Sequence, residues 1–209
     1  IATPRILPQL SNPITIDCHK LGLLGYLLAE GNFCHPNGFY FYSKSDQEIN
    51  DYISYLESFK NTVSTINRSK VATSIYSRRK NIKYPSEAVS WIDSLELRYK
   101  KATEKFFPEF IFQLPNSSLA LLIAKMFQGD GCINVKRDPQ IFYATSSTAI
   151  AKGLQHLLLR FGILSTIHTK KFKYRGGVKI GYTITVNRYD NIKKFIDAFK
   201  PYLVGQKKA

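Results

Sequence analysis

Two carboxylates draw attention by where they sit. Glu30 closes an otherwise apolar run, Leu-Leu-Gly-Tyr-Leu-Leu-Ala-Glu-Gly at 23–31, and glycine follows at once. Asp130 repeats the plan at the end of Ile-Ala-Lys-Met-Phe-Gln-Gly-Asp-Gly at 123–131. An acid at the end of a helix faces the negative pole of its dipole, at a cost of some tenths of a kcal/mol. Two such acids brought together also repel each other. A bound divalent cation offsets both costs, and Mg²⁺ suits a site of one or two carboxylates completed by water and phosphate oxygens. Paired acids with a hard cation are the equipment of metal-assisted phosphodiester hydrolysis. The plainer reading, that each acid merely opens a solvent-facing turn, fits one acid better than a matched pair.

The composition agrees with a polyanionic partner. Of 209 residues, 30 are Lys or Arg and 15 Asp or Glu, for a net charge of +15. Nucleic acid is favoured over an anionic membrane surface. A hydrophobic fraction of 44% supports a packed core. Cys18, Cys34 and Cys132 form an odd set without paired spacing, as in reduced thiols of an intracellular protein of the cytoplasm or an organelle matrix. His19, His35, His156 and His168 form no cluster with cysteine, which argues against zinc. Residues 1–13 do not resemble a signal peptide, and the apolar run at 21–29 is too short to span a bilayer.

The elements that would carry the acids recur. Residues 1–13 read as an extended arm with three prolines. Asp17 is placed to cap a helix ending at Glu30 and stopped by Gly31, and its lack of a polar face requires burial on all sides. A hairpin through residues 33–44, an amphipathic helix over 46–59, a second hairpin over 63–79 and a helix from Ser86 to residue 99 follow. The second half repeats this order: a helix from a 116–118 cap to Gln128, a hairpin over 132–145, a helix over 147–161, strands 164–172 and 178–186, a helix over 190–199 and a polar tail. Glu30 aligns with Asp130, Tyr42 with Tyr143 and Phe59 with Phe161. The expected fold is α+β, with a 1–13 arm and two pseudo-symmetric repeats, 14–108 and 109–209, whose buried helices pack on each other.

The two nine-residue stretches resemble the signature motifs of the LAGLIDADG homing endonucleases, and the order of elements agrees over about residues 16 to 203. The resemblance implies two αββαββα halves, motif helices at the interface, and antiparallel sheets that straddle the DNA major groove. It implies a monomer acting as a pseudo-dimer on double-stranded DNA with a long specific target, without membrane association. Glu30 and Asp130 would be the metal-binding catalytic acids, with the carbonyls of Ala29 and Gly129 available as further ligands. The cofactor implied is Mg²⁺ or Mn²⁺, with Ca²⁺ able to substitute without supporting cleavage. Intein-encoded members carry a Lys-x-hydrophobic-Pro segment, matched by Lys105 to Pro108, and a lysine opening the last strand, matched by Lys179. Catalysis or plain phosphate contact are the two readings for these lysines. An RNA maturase and a cleavage-inactive DNA-binding protein of the same fold are the alternatives to an intein-type endonuclease.

Two residues depart from the pattern. Lys125 stands where a small residue is usual, so either its stem snorkels or the helices sit farther apart. Gln128 replaces a frequent acid. Strand alternation gives the expected DNA contacts. In the first half these are Tyr40, Tyr42, Lys44, Ser74, Tyr76 and Arg78. In the second they are Asn134, Lys136, His168, Lys170, Thr183, Thr185 and Asn187, with Val178, Ile180, Tyr182, Ile184 and Val186 facing the helices. Arg68, Lys70, Lys80, Lys173 and Arg175 are expected at hairpin tips against phosphates.

Overall fold

The computed structural model describes residues 6–8, 10–134, 139–174 and 177–208. Its centre is a pair of helices. Helix α1 (Cys18–Glu30) is buried at every position from 21 to 29, and α4 (Asn116–Asp130) from 119 to 128. Neither has a polar side to offer water, so each covers the other. Small residues set the distance between them. A β-carbon on Gly25 would come within 2.5 Å of the Leu122 carbonyl oxygen and 2.8 Å of Lys125 Cβ. One on Gly129 would come within 2.7 Å of Ala29 Cβ.

The rest of the chain is laid out twice around this pair. After α1 come β1 (Gly31–Asn32), β2 (Tyr40–Ser43), α2 (Asp46–Leu56), β3 (Thr62–Asn67), β4 (Thr73–Arg79) and α3 (Glu87–Ser94). After α4 come β5 (Gly131–Asn134), β6 (Gln140–Thr145), α5 (Thr148–Leu159), β7 (Ser165–Tyr174), β8 (Gly177–Val186) and α6 (Tyr189–Phe199). The two four-stranded antiparallel sheets have matching orders, β1-β2-β4-β3 and β5-β6-β8-β7. One face of each packs on helices through Phe41 and Ile75 in the first sheet and Ile141, Tyr143, Ile184 and Val186 in the second, all fully buried. This is the expected two-repeat α+β architecture.

Local differences from the sequence reading have physical reasons. The side chain of Asp17 makes no capping hydrogen bond and instead pairs with Lys20 at 3.3 Å. The start of α4 likewise lacks a side-chain cap, and Asn116 Nδ2 donates to the Arg160 carbonyl. Helix α3 stops at Ser94, because Glu96 and Tyr99 adopt left-handed backbone at φ 57° and 63°. Gly31 pairs with Phe41 and Gly131 with Tyr143, so Phe41 and not Tyr42 is the counterpart of Tyr143. Val178 and Ile180 lie at the exposed end of the long β7–β8 hairpin, away from the helices, while Tyr182, Ile184 and Val186 pack on the core.

Lys125 does not hold the helices apart. Its Cβ lies against Gly25, and the stem carries the ammonium out of the interface to Asp51 Oδ2 on α2 (2.7 Å) and the Tyr202 carbonyl (2.5 Å). The rings of Tyr26 and Tyr55 flank it at 5.7 and 5.5 Å. Gln128 also reaches α2, donating to Glu48 Oε1 at 2.8 Å.

The Gly25 contact makes a prediction in which two effects oppose. Alanine in a helix is favoured over glycine by about 1 kcal/mol. Its methyl here meets backbone oxygen that cannot swing aside, and such overpacking costs about 1–3 kcal/mol. Gly25→Ala is expected to lower the denaturant midpoint; a neutral or raised midpoint would contradict the close approach.

Candidate active site and nucleic-acid face

The helix pairing brings Glu30 and Asp130 side by side at the C-terminal ends of α1 and α4, where their carboxyl groups share a hydrogen bond. Glu30 is exposed as a residue, but its carboxyl end is crowded. Burial, then the charge and hydrogen bond of Asp130, push it up to about 7. Asp130 is also pushed up, by burial, against the opposing pull of Glu30, Lys105 and Lys207. Two carboxylates this close hold a proton between them when no cation is present.

Each helix end carries a lysine of its own. Lys105 Nζ, almost wholly buried, donates to the carbonyls of Leu27, Leu28 and Ala29 at 2.9, 3.0 and 2.8 Å. Lys207 Nζ does the same for α4, donating to Phe127, Gln128 and Gly129 at 3.0, 2.7 and 3.1 Å. All three N–H donors of each ammonium are thus used, and the positive charge sits at the negative pole of the dipole. Leu27 and Phe127 also accept from the N–H of Gly31 and Gly131, while the next two carbonyls of each helix lie past its last backbone hydrogen bond. Burial draws the Lys105 amine down to about 8, against the pull of Asp130 and Glu30. Burial draws Lys207 down as well, opposed by Glu48 and Asp130 among others.

The structural counterpart of Lys105 is Lys207, where the sequence pairs Lys105 with Lys179. Lys179 lies exposed in the β7–β8 hairpin opposite Phe172, and is absent from the lining of the cleft beside Asp130. Lys207 was read as part of a polar tail, yet it belongs to a 3₁₀ turn, Gly205–Lys207, folded against α4. A signal existed: Lys207 follows Asp130 at nearly the distance by which Lys105 follows Glu30.

The donor set fits a hard divalent cation. Two carboxylates are joined by the carbonyls of Ala29 and Gly129, each with a lone pair left beside its lysine contact. The Tyr143 hydroxyl, fully buried and electrostatically coupled to both acids, has no hydrogen-bond partner. Among the described residues no group of three or more His, Cys, Asp and Glu gathers elsewhere to hold a metal.

A cleft of about 430 Å³ leads from Asp130, Ala29 and Lys105 onto the uncovered face of the second sheet, past Lys170, Phe172 and Thr183. Register places His168 and Lys170 opposite Thr183 and Gly181 on this face, with Asn134 opposite Gln140. Thr185 is half-buried and Thr183 almost fully so, which turns Thr183 toward the cleft rather than open solvent. Asn187 lies just past β8 and its carbonyl accepts from Asn191. On the first sheet Tyr40 pairs with Tyr76 and Tyr42 with Ser74, and Arg78 continues the row, all opposite in phase to buried Phe41 and Ile75. The rings of Tyr40 and Tyr76 pack at 4.8 Å, tilted by 32°, with His35 at 4.9 Å from Tyr76. Lys44, Lys70 and Lys80 are exposed, whereas Arg68 is engaged by Asp46 at 2.8 Å. Lys136 and Arg175 lie outside the described residues, and Lys173 is described only as a strand position opposite Val178.

Comparison with known proteins places this geometry. Residues 117–199 match the family model described as a LAGLIDADG-like domain. The homing endonuclease I-WcaI, bound to its DNA recognition sequence, superposes with a TM-score of 0.60 at 12% identity, covering 93% of this chain and 86% of that one. I-DmoI in complex with DNA and Mn superposes at 0.55 with 15% identity, covering 87% and 96%. The N-terminal LAGLIDADG domain of DUF199/WhiA gives 0.56 at 13% identity, covering 94% and 89%.

The chain has the two-repeat LAGLIDADG fold.

The two helices paired at the centre of this fold are α1 and α4, and they end in Glu30 and Asp130. Curated relatives add a different kind of fact. The replicative DNA helicase DnaB of Synechocystis sp. is 27% identical over 207 residues, spanning 94% of this chain and 23% of that protein. The replication factor C small subunit of Methanocaldococcus jannaschii is 27% identical over 199 residues, spanning 94% and 10%. The chain thus spans less than a quarter of the length of these relatives.

The acid pair predicts a stability effect separate from catalysis. Asp130→Asn removes a like charge beside Glu30 and is expected to raise the melting temperature in chelator. Adding Mg²⁺ should raise the melting temperature of the parent protein and move the variant much less. Equal response of both to Mg²⁺ would remove Asp130 from the cation site.

Proposed function

We propose that this chain is a site-specific double-strand DNA endonuclease of the LAGLIDADG type, with Glu30 and Asp130 as its catalytic acids. The observation that carries the reading is the doubled site: two acids meeting at paired helix ends, each helix with its own lysine folded over its last carbonyls, at the edge of an open polar sheet face. DNA is the expected partner given the net charge of +15. Its polar sheet faces would lie toward the groove, with Tyr40, Tyr76, His168, Lys170 and Thr185 among the contacts.

A bound Mg²⁺ or Mn²⁺ would supply Lewis-acid charge at the scissile phosphates. The chain supplies the remainder. Glu30 and Asp130 hold the cation end of the site, and the carbonyls of Ala29 and Gly129 bring further oxygen to it. Lys105, with its amine drawn down to about 8, is close enough to neutrality to exchange a proton with water or a departing oxygen. Lys207 occupies the equivalent place for the second strand, and each amine must release a carbonyl to do so.

The relatives support an intein setting for this enzyme. Almost the whole chain aligns with a small part of a replicative helicase and a small part of a replication factor C subunit, two proteins with different names and lengths. A segment common to such hosts behaves as a unit that moves between genes. The working units would be the repeats 14–108 and 109–209, acting inside the cell as one monomer.

Incubating the purified protein with Mg²⁺ and plasmids carrying uninterrupted replicative-helicase genes should linearise at least one of them at a single position. Glu30→Gln or Asp130→Asn should lower linearisation by about 10³-fold, the weight of several kcal/mol of charge stabilisation, while leaving DNA affinity in place. Lys207→Met should reduce it by about 10²-fold and leave nicked circles. Tight DNA binding without cutting under every divalent ion would instead identify a cleavage-inactive DNA-binding protein.

A further inference from the structure

Lys207 arrives at α4 on a short segment anchored in the core by Leu203 and held further by polar contacts on either side of it. After α6 the chain makes two short 3₁₀ turns, Lys200–Tyr202 and Gly205–Lys207. Between them it is gripped at three successive points. The Tyr202 carbonyl accepts from Lys125 Nζ at 2.5 Å, and the Val204 N–H donates to Gln128 Oε1 at 2.9 Å. Gly205, in left-handed backbone at φ 59°, packs where a β-carbon would strike Gln47 Oε1 on α2.

The two gripping residues are themselves held by the first repeat. Lys125 and Gln128 lie one turn apart on α4, facing Asp51 and Glu48 one turn apart on α2. Asp51 binds Lys125 at 2.7 Å and also accepts from the Tyr26 hydroxyl at 2.7 Å. Glu48 accepts from Gln128 at 2.8 Å and from the Ser43 hydroxyl at 2.6 Å. The result is a two-rung polar ladder from α2 through α4 to the segment bearing Lys207. The mirror contact is simpler: the Lys105 carbonyl accepts from Ser147 Oγ, the N-cap of α5, at 2.5 Å, and Phe107 fills the space at Gly153.

We infer that Glu48, Asp51, Lys125 and Gln128 are positioning residues for Lys207, so that the first repeat sets up the amine serving the second. A lysine stem is rich in rotamers, and ordering it is entropically costly. Fixing the backbone at 202, 204 and 205 leaves only the stem to order, which the three α4 carbonyls complete. Lys105 depends on none of these four residues. The catalytic consequence rests on the endonuclease reading: loss of the ladder disables one of the two strand cuts.

The test uses two variants of the full chain. Gln128→Met removes one rung and its grip on Val204. Asp51→Asn with Lys125→Met removes the other without leaving a buried charge unpaired. Amine acetylation read by mass spectrometry should label Lys207 slowly in the parent. It should label Lys207 about tenfold faster in either folded variant, the factor expected for losing one or two net hydrogen bonds, with Lys105 unchanged. On a cleavable plasmid both variants should accumulate nicked circles in place of linear product. Unchanged Lys207 labelling in both variants, or Lys105 and Lys207 rising together, would overturn the inference. If Lys207 alone is released but the parent cuts no DNA, the positioning stands and the endonuclease reading falls.

Discussion

The constraint on which the rest of this structure depends is the backbone contact between α1 and α4. Gly25 and Gly129 let two helices with no polar side approach until atoms of one touch the main chain of the other. That approach forces two carboxylates into one place at the negative ends of two dipoles. The opposing costs are met in three ways: carboxyl groups held above their ordinary pKa by burial, an ammonium folded over each set of terminal carbonyls, and a donor set that suits a hard cation. The sheets, their uncovered faces and the flanking helices take their positions from this pair.

Lys105 and Lys207 give the site an economy that the acids alone would lack. Each satisfies two carbonyls that would otherwise be stranded at a helix end, Leu28 and Ala29 or Gln128 and Gly129, and adds a second donor to a third. Each orphaned group there costs on the order of 1–3 kcal/mol. The same ammonium offsets the acids across the interface. Of the groups involved, Ala29, Lys105 and Asp130 line the cleft that opens onto the second sheet.

Much of this was legible in the residue order. Apolar runs ending in acid and glycine mark α1 and α4, and the alternation in Tyr40 to Tyr42 and Ser74 to Arg78 gives the correct phase for the first sheet. What escaped notice was long-range or single-residue in nature. Lys207 carries no local pattern, since its meaning comes from carbonyls nearly eighty positions away. Asp17 has the right type for a cap but not the geometry. The offset that makes Phe41 the counterpart of Tyr143 turns on a difference of two residues in length between the two hairpins, which composition does not reveal. Lys125 was legible as an anomaly, while its resolution at Asp51 required the fold.

Lys125 also decides with whom α4 can pair. Its charge is tolerated beside Gly25 because Asp51 on α2 and the Tyr202 carbonyl receive it at the margin of the interface. Two copies of α4 packed together would set Lys125 against Lys125 in a dry interface with no room for either stem. Removing a buried charge from its partner costs about 3–5 kcal/mol, enough to make such an assembly rare. A duplicated fold with two greasy helices is open to exchange between molecules, each half choosing the wrong mate. The buried lysine makes the two halves unlike at their point of contact, so that the chain closes on itself.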